Sequence, residues 1–187
     1  ATTSSQTPTT TWDAVAAALS YDVWIQNLST GVNPVVQANV ATTNFTPATA
    51  LGIGKFRVWV RARFANNVIS GWSTSRDFTI NTAPVITTQT SPIPGGTPLL
   101  AWSNLTGAAK YDLWISNITT GQTQFIRQQA LTQNSFQVTT NLGVGTYQMW
   151  VRGIDASGLA AGWSSVWQFS TAAAGTAVSP NTPGFST

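Results

Sequence analysis

The chain has 187 residues, enough for one large or two small domains, and its 42% hydrophobic content supplies a core for either. Only 7% of residues are charged, and histidine, cysteine and glutamate are absent, so solubility rests on Thr, Ser, Asn and Gln. These absences exclude a disulfide framework, thiol chemistry, zinc ligation by His or Cys and a histidine-based triad. The net charge of +3 is carried by arginines spread along the chain rather than in a run, which argues against a nucleic-acid partner.

The chain opens on a polar stretch, "ATTSSQTPTTT", and a start at Ala1 rather than Met is what a processed or excised piece would show. Trp12 follows, then "DAVAAAL", whose faint helical period is replaced by "NLTGAA" in the equivalent place further on, so a loop is expected there. "YDVWI" reads as a strand and "NLSTG" as a turn, "NFTPA" as a second strand and "LGIG" as another turn. The long "KFRVWVRAR" and then "RDFTI" complete the unit. The whole series then returns. Trp102, Tyr111 and Gly121 stand ninety residues after Trp12, Tyr21 and Gly31; Phe136, Leu142, Trp163 and Phe169 stand ninety-one after Phe45, Leu51, Trp72 and Phe78. Short strands at turn spacing in a unit of this size predict an all-β chain of two tandem antiparallel β-sandwiches, with no apolar run long enough for membrane insertion.

Strand alternation decides which side chains meet the core. In "GKFRVWVRAR" it turns Phe56, Val58 and Val60 inward, and in "GTYQMWVRGI" it does the same for Tyr147, Met149 and Val151. Trp59 and Trp150 are left facing out beside Arg61 and Arg152. An early Trp, a Tyr opening the next strand, then Leu, a turn, an aromatic residue and V-x-V spacing together resemble a fibronectin type III domain, over residues 1 to about 171. That resemblance implies a tyrosine corner at Leu142 and Tyr147; at Leu51 and Phe56 it implies the same packing without the hydroxyl's hydrogen bond. It also implies that the strand of Trp24 lies beside the strand of Trp59, and that of Trp114 beside that of Trp150. Asp22, Trp24 and Gln26 would then share an outer face with Arg57, Trp59 and Arg61, with Trp72 folded over it.

This set is similar to the tryptophan–arginine ladder of cytokine-receptor modules, although "WSTSR" and "WSSVW" lack or displace the second tryptophan of their "WSxWS" motif. The expected face is Trp24, Arg57, Trp59, Arg61 and Trp72 in the first unit and Trp114, Trp150, Arg152 and Trp163 in the second. Arg61 and Arg152 are expected between indole faces, and Arg63, at the strand end, outside the ladder. A guanidinium on an indole contributes ~0.5–2 kcal/mol and covers apolar area, so these tryptophans are read as packing, with a polysaccharide platform as the alternative. The scattered Asp13, Asp22, Asp77, Asp112 and Asp155 offer no carboxylate pair or calcium cluster, and Asp155 in "DASG" reads as a turn residue, so no catalytic, metal or cofactor site is assigned. Sequons occur at Asn27, Asn44, Asn104 and Asn117.

The wording "YDLWISNITTG" and "DASGLAAGWSS" resembles repeats of very large, low-charge bacterial cell-surface proteins. That resemblance implies an extracellular, non-enzymatic structural role in a surface or filament-forming protein, with self-association or neighbouring repeats as partners and a carbohydrate-binding or adhesin module as the alternative. Expected bounds are 1–82 for the first sandwich, short of its first strand, 83–171 for the second, and 172–187 as a linker or a tail donating a strand.

Overall fold

The computed structural model describes residues 1–88 and 90–173. Its first half holds β1 (Thr2–Thr3), β2 (Thr10–Thr11), β3 (Ser20–Asn27), β4 (Val35–Val40), β5 (Asn44–Phe45), β6 (Gly54–Arg63) and β7 (Arg76–Ile80). The second half holds β8 (Ile93–Pro94), β9 (Leu99–Ala101), β10 (Lys110–Asn117), β11 (Gln122–Leu131), β12 (Ser135–Gln137), β13 (Gly145–Ile154) and β14 (Trp167–Ala172). In each half a large sheet faces a strand pair: β1-β7-β6-β3-β4 against β2-β5, and β11-β10-β13-β14-β8 against β12-β9. Among the described residues the only helical element is a 3-10 turn at Ala65–Asn67, and no helix is long and apolar enough to cross a membrane. The "DAVAAAL" stretch is a loop.

The cores follow the alternation. Val23 and Ile25 of β3 pack on Phe56 and Val58 of β6 and on Ile80, while in the second half Leu113, Ile115, Met149, Val151 and Phe169 close around Trp102. A fully buried side chain of this kind contributes ~1.5–3 kcal/mol relative to exposure. An edge-to-face contact of Trp12 on Tyr21, at 5.4 Å between centroids, recurs as Trp102 on Tyr111 at 5.5 Å.

Thr2–Thr3 runs parallel to Thr79–Ile80 as Ile93–Pro94 runs parallel to Thr171–Ala172. Ahead of that segment, Ile86 bridges Trp102 in the second half. Trp102 is accordingly buried, whereas Trp12 stays half-exposed. The tail lies outside the described residues from position 174 onward.

The Tyr147 hydroxyl donates to the carbonyl oxygen of Leu142, five residues back along the chain. Burial raises the pKa of that phenol. Phe56 fills the equivalent place and stacks on Phe78 at 5.4 Å. Tyr147→Phe should therefore lower the unfolding free energy by ~1–2 kcal/mol, read from the urea midpoint, because a buried carbonyl loses its donor. An unchanged midpoint would show that the hydroxyl bond contributes nothing.

Candidate functional site

The register of β3 on β6 sets Asp22 opposite Arg61, Trp24 opposite Trp59 and Gln26 opposite Arg57. In the second half β10 on β13 sets Asp112 opposite Arg152 and Trp114 opposite Trp150. All these side chains share the outer face of their sheet, and the third indole of each set arrives from the loop after the long strand. Trp24 lies 5.4 Å from Trp59 and 5.7 Å from Trp72, and Trp114 lies 6.0 Å from Trp150 and 6.1 Å from Trp163.

Arginines cover these rings unequally. Arg61 stands 4.6 Å over Trp72 and Arg152 4.4 Å over Trp163, each on one indole and not between two. The guanidinium that does face two indoles is Arg127, at 4.9 Å from Trp114 and 5.2 Å from Trp163. It comes from β11, an edge strand that the sequence pattern passes over, and the register places it directly opposite Trp114. Arg57 is only loosely over Trp59, at 6.0 Å, and instead forks onto Asp77 through Nε at 2.6 Å and Nη2 at 2.8 Å.

Two buried aspartates hold the arginines in place. Asp22 accepts from Arg61 Nε at 2.8 Å and from Arg63 Nε at 2.5 Å, so Arg63 is part of the face, contrary to its expected place outside it. Asp112 accepts at Oδ2 from Arg127 Nη2 at 2.7 Å and Arg152 Nε at 3.0 Å, while its Oδ1 has no partner. Burial pushes the Asp22 carboxyl up, but hydrogen bonds from Arg63 and Arg61 outweigh it and hold the group below the usual carboxylate range. The second face keeps an opening, a shallow apolar cleft of about 270 Å³ lined by Trp114, Trp150, Trp163 and Ser164. Ser116 accepts from Trp114 Nε1 at 3.1 Å, whereas the Nε1 of Trp24 is buried without a partner.

A second site lies where the two sandwiches meet. The "LGIG" turn of the first half carries Ile53 into the core of the second, where it packs with Leu105 and Ala108 and is 2% exposed. Its amide donates to Thr106 O at 2.9 Å. The approach is backbone on backbone. A Cβ on Gly52 would stand 2.8 Å from Thr106 O, and one on Gly107 would stand 2.9 Å from Ile53 N and O, so both positions require glycine. Ser29 Oγ donates to Asp155 Oδ2 at 2.7 Å across the same junction. Asp155 also closes its own turn, accepting from Ser157 N and Leu159 N at 2.9 Å. Burial raises this carboxyl too, and bonds from Ser157, Ser29 and Leu159 lower it by more.

The sequence places the tryptophans on the outer face but misses both the aspartate clamps and the joint. Cross-strand register was the available signal for the first, and an apolar residue between two glycines, "GIG", for the second. The sequon residues Asn27 and Asn117 serve turns, accepting from Ser29 N at 2.8 Å and Thr120 N at 3.1 Å.

No family model matches the chain, and no curated protein matches it. The fold is that of tandem fibronectin type III domains. A two-domain fibronectin type III segment from chicken tenascin superposes with a TM-score of 0.61, covering 87% of this chain and 91% of that one at 11% identity. Likeness at that identity concerns the fold alone.

Asp22 and Asp155 titrate lower in the folded chain than in the unfolded one, where an aspartate has a pKa of about 3.9. Their contribution to stability is therefore fully present above that value and is lost as pH falls through the folded pKa. Tm should hold between about pH 7 and pH 5 and fall below about pH 4. Asp22→Asn should begin at a lower Tm and show a shallower fall. A Tm for the native chain that is flat down to about pH 2 would contradict the clamps.

Proposed function

We propose that the chain is a non-enzymatic structural module of an extracellular surface or filament-forming protein, in which sandwiches stack head to tail. The observation that carries this reading is the joint: a side chain of one sandwich completes the core of the next, and paired glycines bring the two backbones into contact. Such a joint resists bending, which suits a load-bearing rod better than a chain of freely hinged binders. The outer faces fit the same role, because guanidinium groups already occupy indole faces that a sugar platform would need free. Low charge and Thr-rich, Asn-rich surfaces agree with a repetitive extracellular module, as does the likeness to repeats of large bacterial surface proteins.

A second reading draws on the cleft at Trp114, Trp150 and Trp163, whose apolar walls suit a sugar ring. Two solution measurements separate the readings. Sedimentation velocity of the intact chain should show concentration-dependent association into elongated species, and titration with soluble polysaccharides should leave tryptophan fluorescence unshifted. A monomer at every concentration, with a saturable fluorescence shift that Trp150→Ala removes, would replace the structural reading with carbohydrate binding.

A further inference from the structure

The joint between the two sandwiches has its two halves repeated at the outer ends of the pair. Val144, in "LGVG", stands ninety-one residues after Ile53 and is 70% exposed at the far end of the second sandwich. The corner that receives Ile53 has its counterpart at the opposite end of the molecule. There Val15, Ala17 and Ala18 stand ninety residues before Leu105, Gly107 and Ala108, and Ala62 stands ninety-one before Gly153. Val15 is 47% exposed and Leu19 67%, and Val68 and Ile69 are exposed beside them. Leu19 N donates to Arg63 O and Phe64 N to Val68 O, both at 2.8 Å, so these apolar groups border one corner. Building on the stacking role proposed above, we infer that Val144 of one copy of this chain seats in the Val15–Ala18 corner of a second copy, extending the internal joint from copy to copy.

The corner is already formed. Val15 N donates to Tyr21 Oη at 2.9 Å and Ala18 N to Val15 O at 3.1 Å, repeating Leu105 N to Tyr111 Oη at 2.9 Å and Ala108 N to Leu105 O at 3.0 Å. Ala17 takes the left-handed conformation, φ +60°, that Gly107 takes at φ +83°.

Side-chain sizes then change together. A Cβ at Gly153 would stand 2.7 Å from Leu105 Cδ2 and 3.2 Å from Ile53 Cδ1. In the outer corner that Cβ exists, as Ala62, and both neighbours are shorter by the carbon it would strike: Val15 replaces Leu105 and Val144 replaces Ile53. A plug trimmed to match a filled socket is what a second copy of the contact requires.

Two features make the contact between copies weaker than the internal one. The Ala17 methyl occupies the place where a Cβ on Gly107 would stand 2.9 Å from Ile53 N and O, so the incoming turn is held off there. The bond from Ser29 to Asp155 has no counterpart, since Thr119 and Phe64 occupy those places. The contact joins two different surfaces, so it propagates into a line of copies unless the rotation closes a ring.

The experiment is sedimentation velocity with electron microscopy on the intact chain and three variants, each checked for an unchanged far-ultraviolet spectrum. Val144→Asp places a charge on the exposed turn and should weaken association more than tenfold. Ala17→Gly removes the obstructing methyl and should strengthen it several-fold. Val36→Asp, on the side edge of β4, should leave it unchanged. Association that is as strong in Val144→Asp as in the native chain, or that Ala17→Gly weakens, overturns this contact and leaves stacking by another surface. A native chain and an Ala17→Gly variant that both remain monomeric at all concentrations overturn the stacking role, and the contact with it.

Discussion

At the joint between the two sandwiches, backbone meets backbone. Gly52 lies against Thr106, and Gly107 against Ile53, at distances that leave no room for a side chain. That approach lets Ile53 cross from its own unit into the other core, where it lies beside Leu105 and Ala108. Removing such a plug would cost ~2–5 kcal/mol through lost contacts and the cavity left behind. The relative placement of the two halves therefore depends on one isoleucine and two glycines, and the bond from Ser29 to Asp155 fixes the rotation about that contact.

Most of the few charges in the chain work within the molecule. Asp22 and Asp112 each hold two arginines, Asp77 holds Arg57, and Asp155 ties the joint. A buried carboxylate with two guanidinium partners is tolerated because the bonds offset the loss of hydration. Held in this way, Arg61, Arg127 and Arg152 stand over indoles that would otherwise leave an apolar sheet face open to water. The two faces are not equal. The first carries Arg57, Arg61 and Arg63, the second only Arg127 and Arg152, and beside Trp150 the second keeps an apolar cleft.

Much of this was legible in the sequence, for identifiable reasons. A period of two is enough to send Trp59 and Trp150 outward once Phe56 and Tyr147 face the core. The near-ninety-residue repeat is enough to predict two sandwiches. β4 and β11 are hard to read in the sequence because edge strands such as "VVQANV" and "QTQFIRQQAL" are exposed along most of their length and show no clean alternation, and Arg127 is hidden with them. Asp22 and Asp112 looked scattered because their partners lie across a strand pair and not nearby in sequence. Ile53 read as a turn residue because the core that buries it belongs to the other unit, which no pattern within one repeat can reveal.

Rigid coupling of the two sandwiches through the Ile53 joint can be read from residual dipolar couplings of backbone amides in the weakly aligned protein. Couplings from both halves should fit a single alignment tensor with the orientation that the Ile53 joint imposes. Two tensors of different magnitude, one for each sandwich, would mean that the halves move independently and that the joint does not hold them.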